Sequence, residues 1–140
     1  MQGVKVREVE DGDVDFIYST WLRSYKYNSP ITEAIRNDIF YPNHQEILEK
    51  ILLNPETQTS LVVLEEDPRV ILGYLVYTEP TIHFVYVKKP FRKEGVASLL
   101  FESLGLPKDI KGVQYSHLTW GSIELSKAGK WSGIYNPYLR

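Results

Sequence analysis

Apolar residues recur along this chain in distinct rhythms, and the rhythms predict an ordered series of elements. Val4, Val6 and Val9 alternate with charged residues, as in a strand with one buried face. Asp11-Gly12-Asp13 follows as a turn and helix cap. Val14, Ile17, Tyr18, Trp21, Leu22 and Tyr25 then fall at three- and four-residue intervals, one apolar stripe along a helix. Residues 26–42 are less regular, rich in Tyr, Asn and Pro, with room for a short helix over Ile31 to Ile39. Asn43 precedes a second helix, with Glu46 at capping-box spacing, Ile47, Leu48, Ile51 and Leu52 as its buried face and Asn54-Pro55 as its end. Thr59 to Leu64 and Val70 to Tyr77 are β-rich and joined by a charged turn, a hairpin signal. Thr81 to Val87 predicts a further strand. Gly95 to Leu104 predicts a helix with Val96, Leu99, Leu100 and Leu104 on one face, stopped by Gly105 and Pro107. Val113 to Trp120 predicts a last strand, and Gly121, Gly129, Gly133 and Pro137 keep any later element short. The order β-α-α-β-β-β-α-β plus an irregular tail predicts one α/β (α+β) domain over residues 1–140, a mixed sheet flanked by helices.

Composition narrows the classes. The chain has 140 residues, 43% hydrophobic and 24% charged, which suits one globular domain with a sizeable core. No apolar run reaches the ~18 residues of a membrane span, and residues 1–20 lack a secretory pattern, so no membrane partner and a cytoplasmic location are expected. With no cysteine, disulfides, thiolate zinc sites and a cysteine nucleophile are excluded. His44, His83 and His117 lack close ligand spacing, so no metal is expected. The net charge of −2 hides an asymmetry: residues 1–87 carry 7 basic and 14 acidic side chains, residues 88–140 carry 9 and 4. A basic second half suits an anionic ligand such as a nucleotide-bearing cofactor, though charges spread over a solvated surface are the plainer reading.

The stretch from Thr81 to Phe101 carries the chemistry. A strand leads through Lys88, Lys89, Arg92 and Lys93 into Arg92-x-x-Gly95-x-Ala97 and then an amphipathic helix. Free N–H groups and the helix dipole at such a start attract an anion. Gly95 permits close approach of the main chain, and Ala97 is small enough not to obstruct it. The alternative for Gly95 is a tight turn and nothing more.

This segment resembles the signature of the GNAT superfamily of N-acetyltransferases, Arg/Gln-x-x-Gly-x-Gly/Ala between the fourth strand and third helix. The element order from Val4 to about Trp120 and the Leu72-Gly73-Tyr74 run are similar too; the compact tail looks like that of short, divergent, phage-like relatives with a truncated C-terminal region. The resemblance implies a GNAT-like, mostly antiparallel sheet. It implies that acetyl-CoA is the acyl donor, its pyrophosphate held by main-chain N–H groups of the Arg92, Lys93, Glu94, Gly95, Val96, Ala97 and Ser98 loop. Pantetheine would run along Val85, Tyr86 and Val87, with Val85 N–H polarising the thioester carbonyl.

Transfer to an amine needs proton movements. The family's strand glutamate position is Thr81 here. Strand alternation would put Thr81, His83 and Val85 on one face, making His83 a substitute base; Glu79 is another. His117 on the fifth strand can line the pocket or accept a proton. The family's helix tyrosine aligns with Ser126 in Leu125 to Trp131, so Tyr135 or Tyr138 would supply a phenol from the tail. Each of these residues also has a purely structural reading, as packed histidine or aromatic cover. Tyr25, Tyr27 and Tyr41 fall where relatives wall the acceptor side. Without an interleaved basic stripe, nucleic acid is not expected as a partner. The resemblance thus implies an N-acetyltransferase acting on an unidentified primary amine in a ternary complex, with a homodimer allowed. The acidic first half suggests a cationic acceptor. The alternative is a non-catalytic CoA-binding or protein-interaction module.

Overall fold

A computed structural model of the chain describes residues 1–106, 111–130 and 132–140. Six strands form a single sheet in sequence order: β1 (Val4–Glu8), β2 (Gln58–Leu64), β3 (Ile71–Thr78), β4 (Thr81–Val87), β5 (Lys111–Tyr115) and β6 (Ser132–Tyr135). The first four are antiparallel neighbours. β5 runs parallel to β4, and β6 parallel to β5. The helices are α1 (Val14–Tyr27), α2 (Asn37–Leu53), α3 (Val96–Ser103) and α4 (Trp120–Lys127). The fold is therefore the expected mixed, mostly antiparallel α/β sheet with helices around it.

Two apolar layers explain the arrangement. The stripe on α1 buries Ile17, Trp21 and Tyr25 with Phe40, Leu48 and Ile51 of α2 against Leu61, Val63, Tyr74, Val76 and Phe84 of the sheet. On the other face Val62, Leu72 and Leu75 meet Val96 and Leu100 of α3. Trp21 is fully buried and stacks on Phe84, ring centroids 5.2 Å apart. Arg7 of β1 grips the carboxylate of Asp13 through two bonds of 2.7 and 2.9 Å and also donates to the Pro68 carbonyl. Asp13 in addition accepts the Glu10 N–H, so its carboxylate ties β1 to the turn before α1. The guanidinium of Arg7 holds this carboxyl below its ordinary value.

Several boundaries differ from the expectation. α2 begins at Asn37, not after Asn43, and contains Pro42. Asn43 is inside the helix and donates to the Ile39 carbonyl. β5 ends at Tyr115, and the residues to Thr119 leave the sheet. Thr119 and Ser122 then form a reciprocal capping box that starts α4. The tail forms α4 and the parallel strand β6. Pro107 and Trp131 lie outside the described residues. No helix among the described residues is long and apolar enough to cross a membrane.

A bulge in β4 sets the site. Val76 pairs with Phe84 but Tyr77 pairs with Ile82, so His83 is an extra residue without a partner on β3. Ile82 and Val85 consequently both pack on the side of Phe101 from α3, while Phe84 joins the α1–α2 layer. Simple alternation therefore fails here. His83 and Val85 do not share a face, because the extra residue turns His83 toward His117, ring centroids 6.5 Å apart.

Gly73 on β3 is fixed by a close approach. A Cβ there would lie 2.5 Å from the Tyr86 carbonyl oxygen and 3.0 Å from Val96 Cγ1. Gly73→Ala should destabilise the protein by about 1–3 kcal/mol, seen as a lower urea midpoint with the slope unchanged.

Candidate active site

The parallel ladder between β4 and β5 is brief. Among the described residues only Thr81 and Ile82 pair with β5, opposite Gln114 and Tyr115. The last link is the Ser116 N–H donating to the Ile82 carbonyl. Beyond it the two chains separate, leaving the second half of β4 without a strand on that side. Which main-chain groups face the gap follows from the other ladder. Lys88 N–H donates to the Leu72 carbonyl on β3. Hydrogen-bonding direction alternates along an antiparallel strand, so Tyr86 also turns its polar groups to β3, whereas Val85 and Val87 turn theirs to the gap. Arg92 Nε donates to the Val87 carbonyl across 3.1 Å, folding the basic loop back over the open edge. Of the three β4 residues expected to meet pantetheine, Val85 and Val87 thus present main-chain groups; Tyr86 presents its ring, on the other face.

The loop from Arg92 to Ser98 turns out of the strand into α3. Lys93 and Gly95 both have positive φ, 66° and 93°. Gly95 is the N-cap residue of α3, and its left-handed backbone is one that glycine adopts without steric cost. Arg92 N–H is bonded to the Lys89 carbonyl, and the next N–H with a main-chain acceptor is that of Leu99, bonded to the Gly95 carbonyl. Among the described residues, no acceptor is bonded by the N–H groups from Lys93 to Ser98. Val96 is buried on the sheet and anchors the turn; Lys93, Glu94 and Gly95 are exposed, and Ala97 and Ser98 half-buried. The loop thus offers a run of unclaimed donors beside the free edge of β4.

The side chains proposed for proton transfer are arranged differently from expectation. His83, His117 and His44 are all buried and joined in one chain of hydrogen bonds. Thr57 Oγ1 donates to the Ile51 carbonyl at 2.7 Å and lies 2.7 Å from Thr78 Oγ1. Thr78 Oγ1 is 3.1 Å from His83 Nε2, and His83 Nδ1 is 2.6 Å from Ser116 Oγ. Ser116 Oγ is 2.8 Å from His117 Nδ1, and His117 Nε2 is 2.8 Å from His44 Nε2. The first donation orients all the rest. The Thr57 hydrogen is committed to Ile51, so Thr78 donates to Thr57, and His83 Nε2–H donates to Thr78. Ser116 then donates to His83 Nδ1, His117 Nδ1–H donates to Ser116, and His44 Nε2–H donates to His117 Nε2. Three neutral imidazoles satisfy this chain; a second proton on His83 or His117 would set two donors against each other.

Burial pushes all three imidazoles down, with the nearby Arg140 guanidinium acting in the same sense: His44 to about 3, His83 to about 4 and His117 well below its ordinary range. Arg140 sits beside them because it donates to the Ser116 carbonyl and to the Tyr25 hydroxyl. Both ring nitrogens of His83 and of His117 are therefore occupied. Glu79 lies in the exposed turn between β3 and β4 and, with Lys50, His83 and Arg140, borders a cavity of about 210 Å³. Tyr135 is on β6, its ring 5.6 Å from that of Tyr115, and burial and the Tyr25 phenol raise its pKa. Tyr138 is 93% exposed, and Ser126 is exposed on α4. No group of three or more His, Asp or Glu suited to a metal occurs among the described residues.

A larger cleft of about 440 Å³ lies between α1 and the second half of β4. Ser19, Arg23, Ser24 and Tyr27 line it from α1, Tyr86 from β4 and Arg92 from the loop. Sequence reasoning singled out Tyr27 as a wall, and Tyr27 does line this cleft; Tyr25 is core, and Tyr41 packs edge-on against Phe40. It did not single out Arg23, whose place between the buried positions Leu22 and Tyr25 on the polar side of the α1 stripe was the available signal.

No family model matches the sequence, and no curated protein matches it. Solved structures do resemble it in fold. A possible acetyltransferase from Clostridium difficile 630 superposes with a TM-score of 0.57 at 16% identity, over 96% of this chain and 95% of that one. Apo-form YjaB from Escherichia coli gives 0.53 at 16% identity, over 75% and 67%. A GCN5-related N-acetyltransferase from Kribbella flavida gives 0.51 at 15% identity, over 74% and 63%. The chain thus spans about two thirds of the length of the latter two. At these identities the likeness concerns the fold.

The neutral histidine chain makes stability depend on pH. Unfolded histidines take up protons as pH falls through about 6.5, whereas the folded ones resist until about 4 and below. Between those values the unfolded state binds more protons. The stabilisation is therefore complete above about pH 6.5 and lost below it, by about 1.4 kcal/mol per pH unit for each histidine. Urea midpoints should fall steeply from pH 7.5 to pH 5.0, and His44→Gln, which cannot titrate, should flatten that dependence.

Proposed function

We propose that this chain, which has the fold of the GNAT superfamily, is an acetyl-CoA-dependent N-acetyltransferase acting on a primary amine. The observation that carries the reading is the open edge of β4: Val85 and Val87 main-chain groups face the gap beside β5, and the strand leads directly into the unclaimed N–H groups of Lys93 to Ser98. An extended pantetheine would add to that edge like a strand, and a diphosphate would sit at the turn into α3. Arg92 already occupies the Val87 carbonyl, so the Val85 N–H and carbonyl and the Val87 N–H are the groups left for the cofactor.

In this reading the amine nitrogen attacks the thioester carbonyl carbon in a ternary complex. Val85 N–H donates to the oxygen as it gains charge, an effect typically worth about 3–4 kcal/mol of barrier. The ammonium first gives a proton to water or a base; the C–N bond then forms, the C–S bond breaks, and the thiolate of CoA takes up the second proton, which the nitrogen releases as it becomes an amide.

A second reading, a GNAT-fold CoA-binding or interaction module without turnover, is favoured by one observation. His83 and His117, the imidazoles nearest in sequence to the gap, have every ring nitrogen engaged, and Glu79 stands in a solvent-exposed turn.

Calorimetry with CoA tests the common premise. Gly95→Glu places an anion where the diphosphate would sit and should weaken CoA at least tenfold. Gly95→Ala, costing about 1 kcal/mol of stability through its left-handed backbone, should weaken it far less. Unchanged affinity in a folded Gly95→Glu protein would reject the assignment. Thiol release from acetyl-CoA over an amine panel separates the two readings: binding with no turnover on any amine supports the module.

A further inference from the structure

The cleft between α1 and β4 carries an electrostatic signature that the average charge of the first half conceals. Arg23 and Arg92 both face it, and none of the residues that line it is acidic. The remaining polar groups there include the hydroxyls of Ser19, Ser24, Tyr27 and Tyr86. Arg92 is partly engaged through its Nε on the Val87 carbonyl, and the terminal nitrogens of its fork have no partner among the described residues. Arg23 is exposed and forms no hydrogen bond or ion pair among the described residues. This contrasts with Arg7, Arg36 and Arg69, each of which is matched with an aspartate. A concave site with two unneutralised guanidinium groups and a ring of hydroxyl donors fits an anion, since the planar fork of arginine matches carboxylate and phosphate oxygens in pairs.

We propose that this cleft binds the acceptor, and that the acceptor is an amine carrying its own carboxylate or phosphate group, gripped by Arg23. The proposal rests on the acetyltransferase reading for the identity of the amine as acceptor, and the anion preference rests on the cleft alone. It replaces the cationic acceptor that the acidic first half suggests, because the acidic side chains of that half do not line the cleft. It also bears on the missing base. With Arg23 paired to the acceptor's anion, the charge of Arg92 is what disfavours the ammonium form of an amine held in the cleft and so lowers its pKa. A larger share of the bound acceptor is then the free amine, and the proton goes to water without a dedicated side chain.

Matched probes test this. CoA affinity is measured first by calorimetry. The CoA-saturated protein is then titrated with L-phenylalanine against L-phenylalaninamide, with phosphoethanolamine against ethanolamine, and with spermidine; if CoA itself fails to bind, the cofactor reading is rejected and the same titrations are made on the free protein. The expected result is that an anionic member of a pair binds at least tenfold more tightly than its partner. Which pair shows the larger gap assigns carboxylate or phosphate. Arg23→Gln should abolish the preference while leaving CoA affinity within twofold. Equal or tighter binding of the amide, ethanolamine or spermidine, or no binding by any probe, would overturn the proposal. So would an Arg23→Gln protein that loses CoA affinity and keeps its acceptor preference, because Arg23 would then serve the cofactor phosphates.

Discussion

One run of hydrogen bonds holds the centre of this molecule in register. From the Ile51 carbonyl at the end of α2 it passes through Thr57, Thr78, His83, Ser116 and His117 and returns to α2 at His44. It therefore joins α2, β3, β4 and the segment leaving β5, elements that the ladders alone connect weakly at this point. The hydroxyl of Thr57 has a single hydrogen and gives it to a carbonyl, so each later link has only one direction. A buried polar network of this kind is stable only when every member is satisfied, and here each imidazole is satisfied as a neutral ring. The depressed basicity of the three histidines thus reflects burial and the cationic neighbour Arg140, and at His83 and His117 the geometry of the chain opposes a second proton as well.

That network also explains why the open edge of β4 lies where it does. Ser116 bonds to the Ile82 carbonyl through its N–H and to both histidines through its hydroxyl, which pins the chain at that level. Past Ser116 the chain turns toward α4, whose first residue, Trp120, donates its N–H to the Asn28 carbonyl at the end of α1. The second half of β4 is left with Val85 and Val87 facing no partner strand on one side and the α1 cleft on the other. A histidine cluster that looks catalytic by composition serves in this way as the buttress of the gap.

Much of this was legible in the sequence where one local rule sufficed. The α1 stripe, the β2–β3 hairpin and the turn from Arg92 to Ala97 each follow from periodicity or from a glycine at a helix start. Boundaries failed where tertiary contacts overrode local signals. Pro42 reads as a helix breaker, yet α2 continues through it because Phe40 and His44 stack on each other and pack at a tilt against Tyr25. Tyr115 to Trp120 alternates like a strand, yet Ser116 and His117 are drawn into the polar chain, and the Thr119-x-x-Ser122 spacing was the capping signal that marked α4. The histidine chain was not readable at all, since His44 and His117 meet across 73 residues. The role of Arg23 was masked for a simpler reason: average charge over half a chain says nothing of which charges converge.

The unpaired residue at His83 has the effect of a phase shifter. Upstream of it the inward and outward positions of β4 follow one parity, and downstream they follow the other. Removing His83 would close the ladder into a regular strand and leave both faces as they are, Ile82, Val85 and Val87 toward α3 and Phe84 and Tyr86 in the aromatic layer, because Val76 already pairs with Phe84 and Tyr77 with Ile82. What the strand would lose is the imidazole that links Thr78 to Ser116, and with it the middle of the polar chain. The bulge thus lets one residue step out of the pleat and enter the polar chain while its neighbours on both sides keep their partners on β3.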